Sequence, residues 1–439
     1  MLRNFTPFAV LFSLAPLGIP PLVSQEPQAT LPKVGNTDPR LEPFDRLMFS
    51  FLKEQKIPGA TLAIVKDDRL VYSAGFGWAI KPNEEKGLAG EPMRPQTLLR
   101  IASLSKPITA MAILVLSQTG KLKLDDPILK FIKVTPLPGE KIDPRFARIT
   151  LLHLLHHTGG FDRAKSFDPM FRSVVFAQNA KTKPPASTDI IIQNMLGRPL
   201  DFDPGEKYVY SNFGYCLLGR VIEKVTGQEY ETAAKSLVLT PMGAKFPRVG
   251  RSLLDQRFPT ESAYYDLEDR KQKSVFSPFE SVVRPYGTWY HEALDAHGGW
   301  VASAEDMVRF ARIMDHPNKD GRLAKSSVDL VHSRPTEIPL KAEEKAPKTW
   351  YGLGWQVRSV SEGKFNAWHT GLVPGSSALL VRRNDGLIWC VLFNSHGASF
   401  AKTASSIIDP LLHKAADEVK EWPQAVEVPS ETAATEPGF

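Results

Sequence analysis

The sequence has little cysteine: two residues in 439, Cys216 and Cys390. That excludes a disulfide-stapled scaffold and a cysteine-rich metal site. Each cysteine lies in an apolar stretch that suits a free buried thiol, and a single bridge between them is the alternative in an oxidising compartment. Neither reads as a nucleophile. Blocks of like charge are also missing. The 54 Lys and Arg against 48 Asp and Glu leave a net charge of +6, spread along the chain, which gives no nucleic-acid footprint and at most a slight preference for acidic surfaces. No internal repeat is evident. The apolar run from Phe8 to about Val23 is interrupted by Pro16, Pro20 and Pro21, so no stable membrane span is expected. With Arg3 ahead of it and no acidic residue before Glu26, the run reads as an export signal over residues 1–25, with an uncleaved anchor as the alternative. No cysteine follows for a lipid anchor. The expected location is periplasmic or extracellular.

Residues 26–40 are polar and contain proline, as a linker does, and the tail over 423–439 reads as disordered. The folded part is expected over 41–422, starting with a helix near Leu41–Gln55. Two strands follow, Pro58–Val65 and Leu70–Gly77, turned at Asp67-Asp68. Roughly 120–315 has helical periodicity broken by proline and glycine, with long irregular connections around 181–185 and 251–286. Strands return at Gly352–Val357, Asn366–Thr370, Ser376–Arg382 and Leu387–Phe393, and a helix over Ala401 to about Lys420 closes the fold. Early strands must pair with late ones. The expected fold class is therefore α+β: an antiparallel sheet flanked by helices, with a helical subdomain inserted at roughly 120–315.

Ser103-Leu104-Ser105-Lys106 carries the chemistry. It places a hydroxyl and an amine one helical turn apart in an apolar segment. Pro107 is tolerated only in a first turn, so the helix begins close to Ser103, near free N–H groups and the positive dipole end. Burial lowers a lysine's pKa, and such an amine activates a neighbouring serine. The pattern is cheap: Ser361-Glu362-Gly363-Lys364 repeats it in what reads as a solvated turn. Two further blocks qualify it. Tyr210-Ser211-Asn212 leads into a helix over Tyr215–Thr226; its phenol can shuttle a proton and its amide can hold a carbonyl, although Asn212 also reads as a helix cap. His369-Thr370-Gly371 ends a strand where small residues admit a substrate backbone. His157-Thr158-Gly159 repeats that tripeptide at the end of the helical run Ile149–His156 and reads as a structural helix stop. The trio His153, His156 and His157 reads as packing. His291-Glu292 with His297 misses the spacing of a zinc-hydrolase helix. No metal or other cofactor is expected.

In this order the three blocks resemble the serine β-lactamase and penicillin-recognising superfamily, in its class C-like branch with D-Ala-D-Ala peptidases, D-aminopeptidases and esterases. The stretches Ile149–Gly160 and Gly298–Met307 share the likeness, which covers about residues 40–415. It implies a β-lactamase/transpeptidase-like fold and a Ser103 acyl-enzyme. Lys106 and Tyr210 would manage the proton, with the choice of base open. The backbone N–H groups of Ser103 and Leu372 would form the oxyanion hole. Asn212, His369, Thr370 and Gly371 would bind substrate. His369 stands where typical β-lactamases carry lysine, and an unperturbed histidine is mostly neutral at pH 7. The balance therefore tips towards a general ester or amide hydrolase over a β-lactamase or D-Ala-D-Ala carboxypeptidase. A non-catalytic binder of the same fold is the reading from another class. The partner is a small-molecule or peptide ester or amide, and oligomeric state is left open.

Overall fold

A computed structural model describes residues 31–266, 270–319, 321–336, 338, 347–399 and 402–424. The export-signal reading over 1–25, most of the linker and nearly all of the tail lie outside the described residues. The described residues begin with β1 (Lys33–Gly35), α1 (Glu42–Gln55) and the hairpin β2 (Gly59–Lys66) and β3 (Arg69–Ile80). Asp67 and Asp68 take φ of 48° and 69°, the left-handed pair that a two-residue hairpin turn needs. Short strands β4 (Glu91–Pro92) and β5 (Leu99–Arg100) lead to α2 (Ser105–Gln118). The middle of the chain carries α3 (Leu151–Leu155), α4 (Ser173–Asn179), α5 (Thr188–Leu196), α6 (Asn212–Thr226) and α7 (Tyr230–Ala234). Strands β6 (Arg248–Val249), β7 (Lys271–Lys273), β8 (Ser281–Val283) and β9 (Trp300–Ala302) precede α8 (Ala304–Ala311) and α9 (Lys325–His332). The fold closes with β10 (Thr349–Tyr351), β11 (Gln356–Ser361), β12 (Lys364–Val373), β13 (Ser376–Arg382), β14 (Leu387–Phe393) and α10 (Ala404–Glu418).

The main sheet is antiparallel, in the order β1-β3-β2-β14-β13-β12-β11-β10, with β4 beside β3. The first hairpin meets the last strand, Ala63 facing Cys390 and Ala60 facing Phe393. All seven residues of β14 are buried, so both faces of the sheet are covered. Period-two alternation divides them. Ala63, Val65, Ile388, Cys390 and Leu392 join α2, α6 and α8 in one core. Phe393 instead meets Phe51 of α1 at 5.5 Å, and Trp389 meets His413 of α10 at 4.8 Å. Each fully buried aliphatic or aromatic side chain is worth about 1.5–3 kcal/mol of burial, so this two-sided packing fixes register. Cys216 and Cys390 are both buried free thiols, not a bridge.

Three expected elements change. The strand expected over Gly352–Val357 begins only at Gln356, and residues 352–355 form the turn between β10 and β11: Gly354 has φ of 80°, and a side chain on Gly352 would come within 2.0 Å of the Val331 carbonyl. The strand expected over Asn366–Thr370 runs further, from Lys364 to Val373. The helix after Tyr210 begins at Asn212 rather than Tyr215, because the Ser211 hydroxyl accepts the Gly214 N–H as its cap at 3.1 Å.

Gly371 seats the sheet against the start of α2. A Cβ there would meet the Ile101 carbonyl oxygen at 2.2 Å, backbone against backbone. Neither side can yield cheaply. Gly371→Ala is expected to lower stability by about 2 kcal/mol or more, read from the urea midpoint at constant slope; an unchanged midpoint contradicts this packing.

Candidate active site

Ser103 stands where a strand becomes a helix. β5 ends at Arg100, and Ala102 then takes a φ of 47°, a conformation that costs a residue bearing a Cβ about 1–2 kcal/mol. A short 3-10 turn over Ala102–Leu104 enters α2. Its first bond runs from the Leu104 N–H to the Ile101 carbonyl at 3.1 Å, which leaves the Ser103 N–H ahead of the first intrahelical donor. From Ile101 to Leu114 every residue is buried except Ser103.

One turn on, Lys106 is fully buried. Its Nζ lies 3.2 Å from Ser103 Oγ, 2.8 Å from Asn212 Oδ1 and 2.9 Å from the His297 carbonyl oxygen. Burial drives its pKa well down; the Asp168 carboxylate pulls it up and the Arg163 guanidinium pushes it down. A neutral amine has two hydrogens and one lone pair. The Asn212 and His297 oxygens can only accept, so they take the two hydrogens. The lone pair is left facing the Ser103 hydroxyl, the one partner with a hydrogen to give.

Asn212 is held so that this works. Its Nδ2 donates to Asp168 Oδ2 at 2.6 Å, while the Met170 N–H occupies Asp168 Oδ1 at 3.1 Å. A carboxylate accepts and does not donate, so the amide must turn its NH2 to Asp168 and its oxygen to Lys106. Burial raises the Asp168 pKa above the usual carboxylate value.

Tyr210 completes the cluster. Its hydroxyl hydrogen-bonds Ser103, and burial pushes its pKa above that of an ordinary phenol. Lys106 Nζ lies 4.6 Å from the centre of its ring, a cation–π distance whenever the amine is protonated. Behind it stands His157, the residue read as a helix stop. It does end α3, with φ of 60°, but its ring also packs on Tyr210 and Tyr351 at 4.4 and 4.5 Å. Its Nδ1 accepts the Ser211 N–H at 3.1 Å. Burial holds the imidazole neutral, so it can accept that bond.

The third block lies along β12. His369 Nε2 meets the Tyr351 hydroxyl at 3.0 Å and Nδ1 meets the Thr370 carbonyl at 2.7 Å. Burial, then the charge that Lys106 carries when protonated, pulls its pKa down to about 3. No carboxylate enters that balance, and His369 is neutral at physiological pH. β11 pairs with β12 only as far as Gln356 opposite Trp368. From His369 to Val373 the β12 edge therefore faces no strand on that side among the described residues. Leu372 is exposed on it, half-buried Thr370 shares its face, and Gly371 abuts Ile101. The decoy pair Ser361 and Lys364 is exposed across the β11–β12 turn, outside the cluster. His153 caps α3, its Nδ1 accepting the Thr150 N–H at 3.1 Å.

A family model described as Beta-lactamase matches residues 44–410. The chain belongs to the beta-lactamase family. Its fold is α+β of the β-lactamase/transpeptidase kind, and it is a serine hydrolase of that family. It is 29% identical to a fimbrial assembly protein, FimD, of Dichelobacter nodosus, over 83% of this chain and 80% of that one. It is 27% identical to a penicillin-binding protein of Bacillus subtilis, over 77% and 68% respectively. A solved octameric penicillin-binding protein homologue from Pyrococcus abyssi superposes with a TM-score of 0.63 at 26% identity, covering 88% of this chain and 79% of the other.

Five groups in this beta-lactamase-family site escaped the sequence: Arg163, Asp168, the ring of His157, Tyr351 and the His297 carbonyl. Asp168-Pro169 carries only the signal of a capped turn, and a backbone carbonyl carries none. Asp168 is a positioning residue with an electrostatic signature. In Asp168→Asn the lost negative charge lowers the Lys106 pKa further, so the acid limb of kcat/KM should move to lower pH. Loss of the enforced amide orientation should cut the rate about tenfold, the worth of one hydrogen bond. An acid limb that stays in place or moves up contradicts this role.

Proposed function

We propose that the protein is an exported acyl hydrolase that cleaves an ester or amide through a Ser103 acyl-enzyme. The observation that carries it is the Lys106 environment: a fully buried amine whose lone pair can face only the Ser103 hydroxyl. Ser103 Oγ attacks the carbonyl carbon, and its proton passes to Lys106. The carbonyl oxygen gathers charge against the N–H groups of Ser103 and Leu372, one at a helix start and the other on the β12 edge. The C–O or C–N bond to the leaving group then breaks and the leaving group takes up a proton. Water repeats the sequence on the acyl-enzyme, releasing the acid and restoring Ser103.

The opposite pKa shifts of the two candidate bases favour Lys106. Burial lowers the amine and raises the phenol, so near neutral pH Lys106 can accept a proton while Tyr210 keeps its own. Tyr210 then serves as donor towards the leaving group. Asn212 holds Lys106 and the substrate carbonyl side, and the strand His369–Gly371 lies alongside the substrate backbone. A neutral His369 supports an ester or amide hydrolase over an enzyme that relies on a strand cation to hold a β-lactam carboxylate. Export rests on the apolar, proline-broken segment over 1–25. Among the described residues no helix is long and apolar enough to cross a membrane.

Ser103→Ala should abolish labelling by a fluorophosphonate probe and lower turnover of p-nitrophenyl esters by about 10⁴-fold or more, with unchanged circular dichroism. Turnover that survives in a folded Ser103→Ala protein overturns the reading.

A further inference from the structure

The Ser103 N–H can serve an oxyanion only if something aims it. It belongs to the Ala102–Ser103 peptide, and in a planar trans peptide the N–H points opposite to the carbonyl. Whatever holds the Ala102 carbonyl therefore aims the Ser103 N–H. The Ser105 N–H reaches that carbonyl across a tight 3-10 turn. The turn is under tension, because Ala102 sits at a φ of 47°, from which a residue bearing a Cβ gains by relaxing. Any relaxation at Ala102 rotates the peptide and swings the N–H away.

The Ser105 side chain supplies a second hold. It is fully buried, and its Oγ lies 2.7 Å from the Ala102 carbonyl oxygen. On its other side Oγ lies 3.4 Å from the Trp300 backbone nitrogen. That N–H can only donate, so the one hydroxyl hydrogen goes to Ala102. β9 thus orients the hydroxyl from behind, and the hydroxyl pins the carbonyl. The Trp300 carbonyl also takes the Ile101 N–H at 3.0 Å, which ties the end of β5 to the same residue. Lys106 turns elsewhere, to Asn212 and His297, and shares no partner with the Ser105 hydroxyl.

We propose that Ser105 is a positioning residue of the oxyanion hole: its hydroxyl clamps the Ala102–Ser103 peptide so that the Ser103 N–H stays aimed at the substrate carbonyl oxygen. The same bond in an ordinary helix would serve stability alone. Here the clamped carbonyl is the far end of the peptide whose N–H meets the reacting atom. A resting carbonyl carries little charge and gains little from that N–H. The tetrahedral state carries a full charge and gains most. Losing the clamp should therefore lower kcat and leave KM in place. This assignment rests on the Ser103 acyl-enzyme reading and deepens it.

The test sets turnover of p-nitrophenyl acetate beside inhibition by phenylboronic acid, which adds to a serine Oγ as a tetrahedral anion. In Ser105→Ala, kcat should fall about tenfold, the worth of one hydrogen bond, with KM unchanged. The boronate inhibition constant should rise by about the same factor, and the acid limb of kcat/KM should stay in place because Lys106 keeps its partners. Ser105→Cys is close in size and a weaker donor, so it should fall between; it carries the same comparison if Ser105→Ala does not fold. Unchanged kcat and boronate affinity overturn the assignment. So does a fall in kcat with boronate affinity intact, or an acid limb that moves with the rate. Failure of the wild type to cleave the ester, with no covalent label on Ser103, would overturn the acyl-enzyme reading instead.

Discussion

The site depends on one chain of hydrogen bonds whose direction is fixed from one end. Asp168 can only accept, so Asn212 must give it the NH2 and keep its oxygen for Lys106. The His297 carbonyl takes another hydrogen of the same amine. A neutral Lys106 then has its lone pair left for Ser103. Burial pulls the pKa of the amine well down, and the directional chain makes its neutral form useful. Either alone would leave an inert lysine.

The fold is arranged so that three separate parts of the chain meet there. The strand-to-helix junction at Ala102 leaves Ser103 half-buried and buries its neighbours on both sides. The Ser211 cap starts α6 one residue later and so places Asn212 in its first turn. Gly371 lets β12 rest on the Ile101 carbonyl, which brings the open strand edge to the serine. The long segment before β9 braces this junction from behind: the buried Arg100 guanidinium donates to the Arg251 carbonyl at 2.9 Å and stacks on Tyr264, 4.5 Å from the ring centre.

Much of this was legible in the sequence because it is written in local patterns. Alternating apolar runs gave the sheet, and Pro107 together with the buried run Ile108–Leu114 marked where α2 starts. Three short blocks named most of the side chains around Ser103. What was not legible depends on long-range geometry. Gly352 and Gly354 break a strand because Val331 and Ala110, respectively, approach from elsewhere in the chain. His157 ends a helix, as its neighbours suggest, yet its ring is set against Tyr210 by the tertiary fold. Asp168 and Arg163 sit on a loop with no periodicity, and their charges reach Lys106 only through the tertiary fold. The charge state of His369 follows from burial and the absence of a carboxylate, neither of which a tripeptide reveals.

The central claim is that Lys106 rests as a neutral amine facing Ser103. Lysine Nζ nitrogen-15 NMR on the folded enzyme reads this directly, with the Lys106 signal assigned by its loss in Lys106→Met. The account predicts an amine resonance for Lys106 at a pH where an ordinary lysine is still ammonium, because burial holds its pKa well down. An ammonium resonance for Lys106 at pH 7 that persists as the pH rises towards 10 would contradict it.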